Sequence, residues 1–298
     1  MFFQDVRDYQ ILFLSLFLVL GVATRDWTLR LDLILVAIAT CCTAQLLLTF
    51  LSQQNIFNLL SQPQKFNPNL IILDSKPSFR SALITALGIS LLLRAEHFNS
   101  IILAGALAIL SKFIFSGQKH FFNPANFGII CALVMTKDAW VSPGQWGDDW
   151  WYALLFLGAG GIVLKRVGRW DTTAAFLGSY ALLEAIRNIW LGLTWDVFCH
   201  RLMSGSLLLF ALFMITDPRS IPNARLARLI WAMSIAILTF VLRNYFYMQT
   251  AVFWALFALS PLTIILDYIW SAPRFSWSEV RRYGVGFTSN LGNNRQII

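Results

Sequence analysis

Charge is what this sequence has least of. Only 13% of its 298 residues are Asp, Glu, Lys or Arg, against about 25% in a soluble globular chain. With 57% hydrophobic residues and a mean hydropathy of +0.64, the polar complement is too small to cover a water-soluble fold, and the composition indicates a polytopic membrane protein. Long polar stretches are missing as well. The longest runs only from about Ser52 to Phe79, which leaves no room for a soluble catalytic domain. Metal-binding residue types are scarce. His97, His120 and His200 fall near the ends of apolar segments, which excludes a haem held by His pairs inside facing helices. The four cysteines, Cys41, Cys42, Cys131 and Cys199, show no C-x-x-C spacing and read as small buried hydrophobes, not as iron–sulfur ligands.

What is present is a series of apolar segments. A membrane-spanning helix needs about 20 such residues, and shorter runs serve as half-helices or shielded cores. Ten candidates lie at approximately 9–24, 32–51, 80–94, 98–116, 124–136, 149–165, 172–192, 199–215, 226–243 and 248–270. An all-α membrane protein of about ten helices is therefore predicted, forming one integral membrane domain with a short tail at 274–298. Placement of Lys and Arg orients it. Alternate ends of the ten segments hold 16 basic residues on one side and 7 on the other. By the positive-inside rule both termini are expected in the cytoplasm of a plasma (inner) membrane. The net charge of +8 is then a matter of orientation, and nucleic acid is not expected as a partner; the lipid bilayer is. Asp5 and Asp8 beside Arg7 argue against reading the first segment as a cleaved signal peptide, which starts positive.

The places where the chain interrupts its own helices carry the most information, because irregular backbone at membrane depth is tolerated only where it lines a site or is buried in protein. Asn123-Pro124-Ala125-Asn126-Phe127-Gly128 joins a favoured N-cap to a proline at the first helical position. The helix it opens is so short that it is expected to begin inside the membrane, turning free N–H groups and a positive dipole end toward an anion or a polarisable ring. An ordinary capped turn explains the same residues. A second break, Met214-Ile215-Thr216-Asp217-Pro218, closes the eighth segment, and Asp217 there can cap a turn or accept hydrogen bonds from a ligand. The third segment (Ser81, Thr85, Gly88) and the eighth (Ser204, Gly205, Ser206) each open with a basic residue followed by small hydroxylated ones. Both are third in a set of five. Together these features suggest a 5+5 inverted repeat, with halves at about 1–143 and 144–273 and a site at their interface. Small-residue packing alone accounts for them equally. Glu184 and Arg187, three apart on the seventh segment, are expected to pair. Lys112 and Asp267 are expected to reach the interface, and Trp146, Trp150, Trp151, Trp170, Trp270 and Trp277 to form headgroup belts.

Three of these stretches carry a resemblance. Ser81-Ala82-Leu83-Ile84-Thr85-Ala86-Leu87, Phe122-Asn123-Pro124-Ala125 and Thr216-Asp217-Pro218 resemble, in order, the S-A-L-x-T-A-L, F-N-P-A and T-D-P signatures of a known family, the RnfD/NqrB family. It comprises membrane subunits of the Rnf electron-transport complex (RnfD) and of the sodium-translocating NADH:quinone oxidoreductase (NqrB). Phe122 to Ile129, followed by Trp140 to Gly147, is similar to a divergent branch that includes membrane proteins of enediyne clusters. The resemblance implies a flavin-dependent, membrane-bound electron carrier working with other electron-transport subunits and quinone, without catalytic activity of its own. In the core family a threonine in an S-G-A-T motif carries FMN through a phosphoester. This chain has no S-G-A-T. The corresponding loop holds only Ser142 before Asp148-Asp149, and Asp171-Thr172-Thr173-Ala174 falls on the opposite side, where Asp171 or Thr172 is expected to cap the seventh helix.

The expected cofactor is therefore FMN or riboflavin bound non-covalently. The expected pocket residues are Ser81, Thr85, Asn123, Pro124, Asn126, Gly128, Thr216 and Asp217. A solute or ion transporter that kept the fold without redox chemistry, and a structural subunit, remain as alternatives. A water channel is disfavoured because Asn-Pro-Ala occurs once.

Overall fold

The computed structural model describes residues 5–24, 30–60, 78–115, 119–141, 146, 150–275 and 277, with side chains from 53 to 60 excepted. Residues 61–77 of the polar connection expected from Ser52 to Phe79, Ser142, Asp148, Asp149 and nearly all of the 274–298 tail lie outside the described residues, while 52–60 continue α2 as helix. The chain forms two compact units. The larger comprises Met1–Trp27 with Val141–Ile298 and the smaller Thr28–Trp140.

In the smaller unit, α2 (Leu31–Leu60) packs on α3 (Phe79–Leu92) and α4 (Phe98–Ile114), and α4 packs on α5 (Pro124–Met135). Two short strands, β1 (Leu93–Ala95) and β2 (Ala139–Val141), form a two-stranded sheet at the end where α3 stops. The contacts are made close by small residues. A Cβ on Gly105 would sit 3.2 Å from Cys41 Sγ, and one on Gly128 would collide with the carbonyl oxygen of Ala104. Such close backbone approach is how helices associate without a hydrophobic driving force between them.

In the larger unit, α1 (Val6–Thr24) packs on α6 (Trp150–Val167), with the buried ring of Phe17 edge-on to Phe156 at 4.6 Å and to Phe213 at 5.7 Å. Next comes α7 (Trp170–Trp190), ended by Gly192 in the left-handed conformation (φ 64°), which glycine enters without a Cβ penalty. The short α8 (Trp195–Leu202) is followed by α9 (Gly205–Leu209), which continues as a π-helical segment, Phe210–Met214. Beyond it, α10 (Arg225–Asn244) packs on α7, on α11 (Ala251–Leu259) and on α12 (Leu262–Ile269). Salt-bridged and hydrogen-bonded pairs Asp171–Arg228 and Glu184–Asn244 join the matching ends of α7 and α10, so these two helices run parallel.

Helices occupy all ten predicted segments, but by length and apolarity only four of the described helices can cross a membrane alone: α1, Leu31–Ser52 of α2, α6 and α10. Two bent pairs raise this to six, α8 with α9 and its π-helical continuation (48°) and α11 with α12 (47°). The segment at 248–270 is thus broken, at Ser260-Pro261, because proline removes a backbone donor and clashes one turn back. The Leu259 carbonyl at the break accepts a hydrogen bond from the buried Trp231 indole at 3.0 Å. The short α3, α4 and α5 have 14, 17 and 12 residues, or about 21, 26 and 18 Å at ~1.5 Å per residue. The four span-length helices and the two bent pairs make the chain an integral membrane protein.

Two expectations of exposure are corrected. Trp146 is only 1% exposed and is a core residue. Its indole lies where a Cβ on Gly205 would be, and it packs edge-on to Phe156 at 4.8 Å, so it cannot belong to a headgroup belt, unlike the exposed Trp150, Trp151 and Trp170. Lys112 is likewise buried, at 7% exposure.

Candidate functional site

The site in the smaller unit is assembled from three helices. Ser81 and Thr85 stand one turn apart on α3 and share a face. From α4, the Lys112 ammonium donates to Thr85 Oγ1 at 3.0 Å, Ser81 Oγ at 3.2 Å and the Ser81 carbonyl at 3.3 Å. The Thr85 hydroxyl in turn donates to the Ser81 carbonyl at 2.9 Å. An ammonium out of water needs such oxygens, since desolvating it otherwise costs several kcal/mol. A lone Lys inside an apolar segment is the signal that marks a functional position, and it was available in the sequence.

The third element is the start of α5. Asn123 is its N-cap: the side chain accepts from the Asn126 amide at 3.1 Å, and Pro124 follows as the first helical residue. Asn123, Pro124, Ala125 and Asn126 are all buried. Gly128 abuts Ala104 and Ala108 of α4, and Gly88 of α3 faces Ala125. Since α4 and α5 are antiparallel, this register brings the opening turn of α5 to the Lys112 turn of α4. Four phenylalanines beside it, Phe115, Phe121, Phe122 and Phe127, form a ring cluster with centroids 4.6–6.2 Å apart. Six of the eight predicted site residues thus fall in this unit, with Lys112 and the phenylalanines as additions the sequence reading missed.

Thr216 and Asp217 belong to the larger unit. Thr216 Oγ1 donates to the Leu212 carbonyl at 2.9 Å. Asp217 accepts from the Arg219 amide and the Ser220 hydroxyl, both at 3.2 Å, and so organises its own turn. The preceding π-helical segment is closed by Ile215 N–H to the Phe210 carbonyl at 2.9 Å and is buried throughout. Single π turns inside helices are frequent at functional sites.

The larger unit also holds two buried polar networks that the sequence placed differently. Glu184 does not pair with Arg187. It is 1% exposed and accepts from Arg201 of α8 at 3.2 Å, from the Tyr180 hydroxyl at 2.9 Å and from Asn244 at 2.9 Å. A residue three positions along one helix shares a face, but this carboxylate points into the unit, where partners come from other helices. At the other end of α7, Asp171 is bound by Arg228 at 2.6 Å. The N-cap of α7 is Arg169, not Asp171 or Thr172. Burial, together with the nearby Arg228, pulls the Arg169 guanidinium down to about 10 while Asp171 opposes the shift. Thr172 is fully buried, and the Thr173 hydroxyl is engaged with the Ala211 carbonyl at 2.6 Å.

Comparison with known proteins bears on the larger unit above all. A model of the NQR2, RnfD, RnfE family matches residues 135–275. The D-type subunit of the ion-translocating oxidoreductase complex of Actinobacillus pleuropneumoniae serotype 3 (strain JL03) is 28% identical over 145 residues, covering 48% of this chain and 39% of that relative. The protein of the same name from Stutzerimonas stutzeri is 31% identical over 121 residues, covering 39% and 33%. That from Vibrio vulnificus (strain YJ016) is 30% identical over 131 residues, covering 43% and 36%. The chain matches about two-fifths or less of these relatives' own length. Of the three motifs that carry the resemblance, Thr216-Asp217-Pro218 lies inside the matched stretch and the other two lie before it. At modest identity, the chain is a divergent relative of the NQR2, RnfD, RnfE family.

Proposed function

We propose that the chain is the membrane subunit of an ion-translocating electron-transport complex of the RnfD type, holding a flavin without a covalent bond. The observation that carries the reading is the buried Lys112, bonded to Ser81 and Thr85 one turn beyond the stretch of α4, Ala104 to Ala108, that Gly128 of α5 abuts. An ammonium, hydroxyls and the positive end of a 12-residue helix are the groups that bind flavin carbonyls or a phosphate. The four phenylalanines beside them supply flat apolar faces. The donor set therefore suits FMN or riboflavin, and quinone shares the same ring chemistry. A bound flavin supplies electron transfer in one- or two-electron steps. The chain's part would be to hold the ring against the phenylalanine cluster, exclude water from it and favour negative charge on its carbonyl edge through the Lys112 charge and the α5 dipole.

The finer topology belongs to the same proposal: ten crossings in a 5+5 inverted repeat with cytoplasmic termini, several of them made by short or bent helices. It is supported by a recurring order of packing. In the smaller unit α2 packs on α4 and α4 on α5; in the larger, α7 packs on α10 and α10 on α11. Counted as spans, these are the second, fourth and fifth of each half.

The test is flavin retention. Protein purified in detergent without added flavin is expected to release FMN or riboflavin on acid precipitation, without hydrolysis. Lys112→Met is expected to reduce the retained flavin by about tenfold or more, through loss of the buried positive charge and of the Ser81–Thr85 arrangement it holds, and Asn123→Ala to reduce it less. A colourless preparation points instead to a non-redox transporter or structural subunit. Undiminished flavin in Lys112→Met moves the site elsewhere.

A further inference from the structure

The end of the smaller unit where α2 and α4 begin and α3 stops holds a cavity of about 50 Å³ that plays no part in the site above. Its polar lining is Arg30, Arg94 and Ser90. Leu33 and Ile101 supply apolar wall and Trp140 a half-exposed rim.

Ser90 is the informative member. Many hydroxyls in the apolar helices of this chain donate to the carbonyl about one turn back, as Thr43, Thr49, Thr85, Thr136, Ser234 and Ser260 do; Thr239 and Thr263 do not, but neither lines this cavity. Ser90 is 5% exposed, yet its Oγ has no hydrogen-bond partner among the described residues. A buried hydroxyl left unmatched is destabilising by about 1–3 kcal/mol, so its survival on a cavity wall points to a partner that enters from outside the chain.

The guanidinium of Arg94 is fixed beside that hydroxyl. Its Nη1 donates to the Ser90 carbonyl at 2.7 Å and to the Leu93 carbonyl at 3.0 Å. Arg30 reaches the Glu96 carbonyl at 2.9 Å and is balanced by Asp32 at 2.7 Å. Of the other acids at this end, Asp138 is occupied by the His97 amide at 3.0 Å and the Ser100 hydroxyl at 2.5 Å, and Glu96 is exposed and does not line the cavity. By volume the cavity admits a few waters or one tetrahedral anion.

We propose that this cavity is a binding site for one phosphate group, presented by the headgroup of an anionic phospholipid. Arg94 and Arg30 face the phosphate, for which a planar guanidinium is the best-matched cation. Ser90 donates its hydroxyl. The indole of Trp140 and the Leu33 and Ile101 side chains lie against the glycerol and first methylenes, as aromatic residues do at membrane interfaces. The site is independent of the flavin reading, since it uses none of its residues.

Delipidated full-length protein in neutral detergent tests it, titrated separately with dioctanoyl phosphatidylglycerol, dioctanoylglycerol and inorganic phosphate, and read by native mass spectrometry and by the shift in thermal unfolding. Phosphatidylglycerol is expected to add as a single molecule and to raise the midpoint, whereas dioctanoylglycerol, which lacks the phosphate, does neither. Ser90→Ala is expected to weaken phosphatidylglycerol binding several-fold, and Arg94→Lys more strongly. Ser90→Ala removes one atom from a cavity wall and keeps the test meaningful if Arg94→Lys does not fold. Displacement of the lipid by millimolar inorganic phosphate assigns the natural source to the soluble ion, at the same phosphate site. Equal binding of the two lipids, or unchanged binding in Ser90→Ala, overturns the proposal.

Discussion

Replacing Asp171 by Ala is expected to destabilise the larger unit by about 3–5 kcal/mol, the range found when one partner of a buried ion pair is removed. The reason lies in the cations left behind. Arg228, 6% exposed, meets this carboxylate at 2.6 Å, Arg225 lies 3.9 Å from it, and Arg169 is buried alongside. Without Asp171 two buried guanidinium groups face one another with no intervening negative charge. Thermal unfolding in detergent, followed by intrinsic tryptophan fluorescence, should show a lowered midpoint for Asp171→Ala. The double variant Asp171→Ala/Arg228→Leu should recover part of it, because the uncompensated charge is gone. Arg225→Ala is the control: its side chain is 69% exposed, and exposed pairs contribute only about 0–1 kcal/mol. A midpoint for Asp171→Ala within a degree of the parent would show that the pair does not hold the ends of α7 and α10 together.

Gly128→Val is expected to have the second large effect, in the smaller unit. A side chain there collides with the backbone carbonyl of Ala104 and approaches Ala108 Cβ to 2.8 Å. A carbonyl in mid-helix cannot rotate away, so α4 and α5 must separate. Overpacking of this kind costs about 1–3 kcal/mol or more. It also displaces the opening turn of α5 from Lys112, so retained flavin should fall with stability. Gly88→Ala provides the contrast, since its new Cβ would meet Ala125 Cβ at 3.6 Å, an ordinary contact. Equal thermal midpoints and flavin contents for these two variants would contradict the close α4–α5 packing.

What the sequence made legible was local. Apolar runs located the ten helical segments, though not the division of the eighth and tenth into two helices each, because transfer from water is a property of the run itself, and Asn123-Pro124 located the start of α5, because its cap closes within four residues. Pro261 carries the same kind of local signal, yet 248–270 was expected as one unbroken span, and the break there was missed. What escaped was tertiary. Glu184 lies 17 residues from Arg201 and 60 from Asn244 in sequence, and no spacing rule connects them. Trp146 looked like an interfacial tryptophan by composition, but glycine at 205 opens room for its ring inside the larger unit. Lys112 was assigned to the interface because a long side chain can reach water along a helix; the hydroxyls of Ser81 and Thr85, on another helix, hold it inside.

The double fastening of α7 to α10 also sets a hierarchy of local stability. Bound near one end through Asp171 and Arg228 and near the other through Glu184, Tyr180, Arg243 and Asn244, these helices share their opening transitions, and their amides open last. The neighbouring α8 has no buried residue, and its Arg201 is the hydrogen-bonded link from that helix to Glu184. Protection from exchange is then expected to drop within a few residues, from the α7–α10 pair to α8, so a weakly held helix lies directly beside a rigid strut.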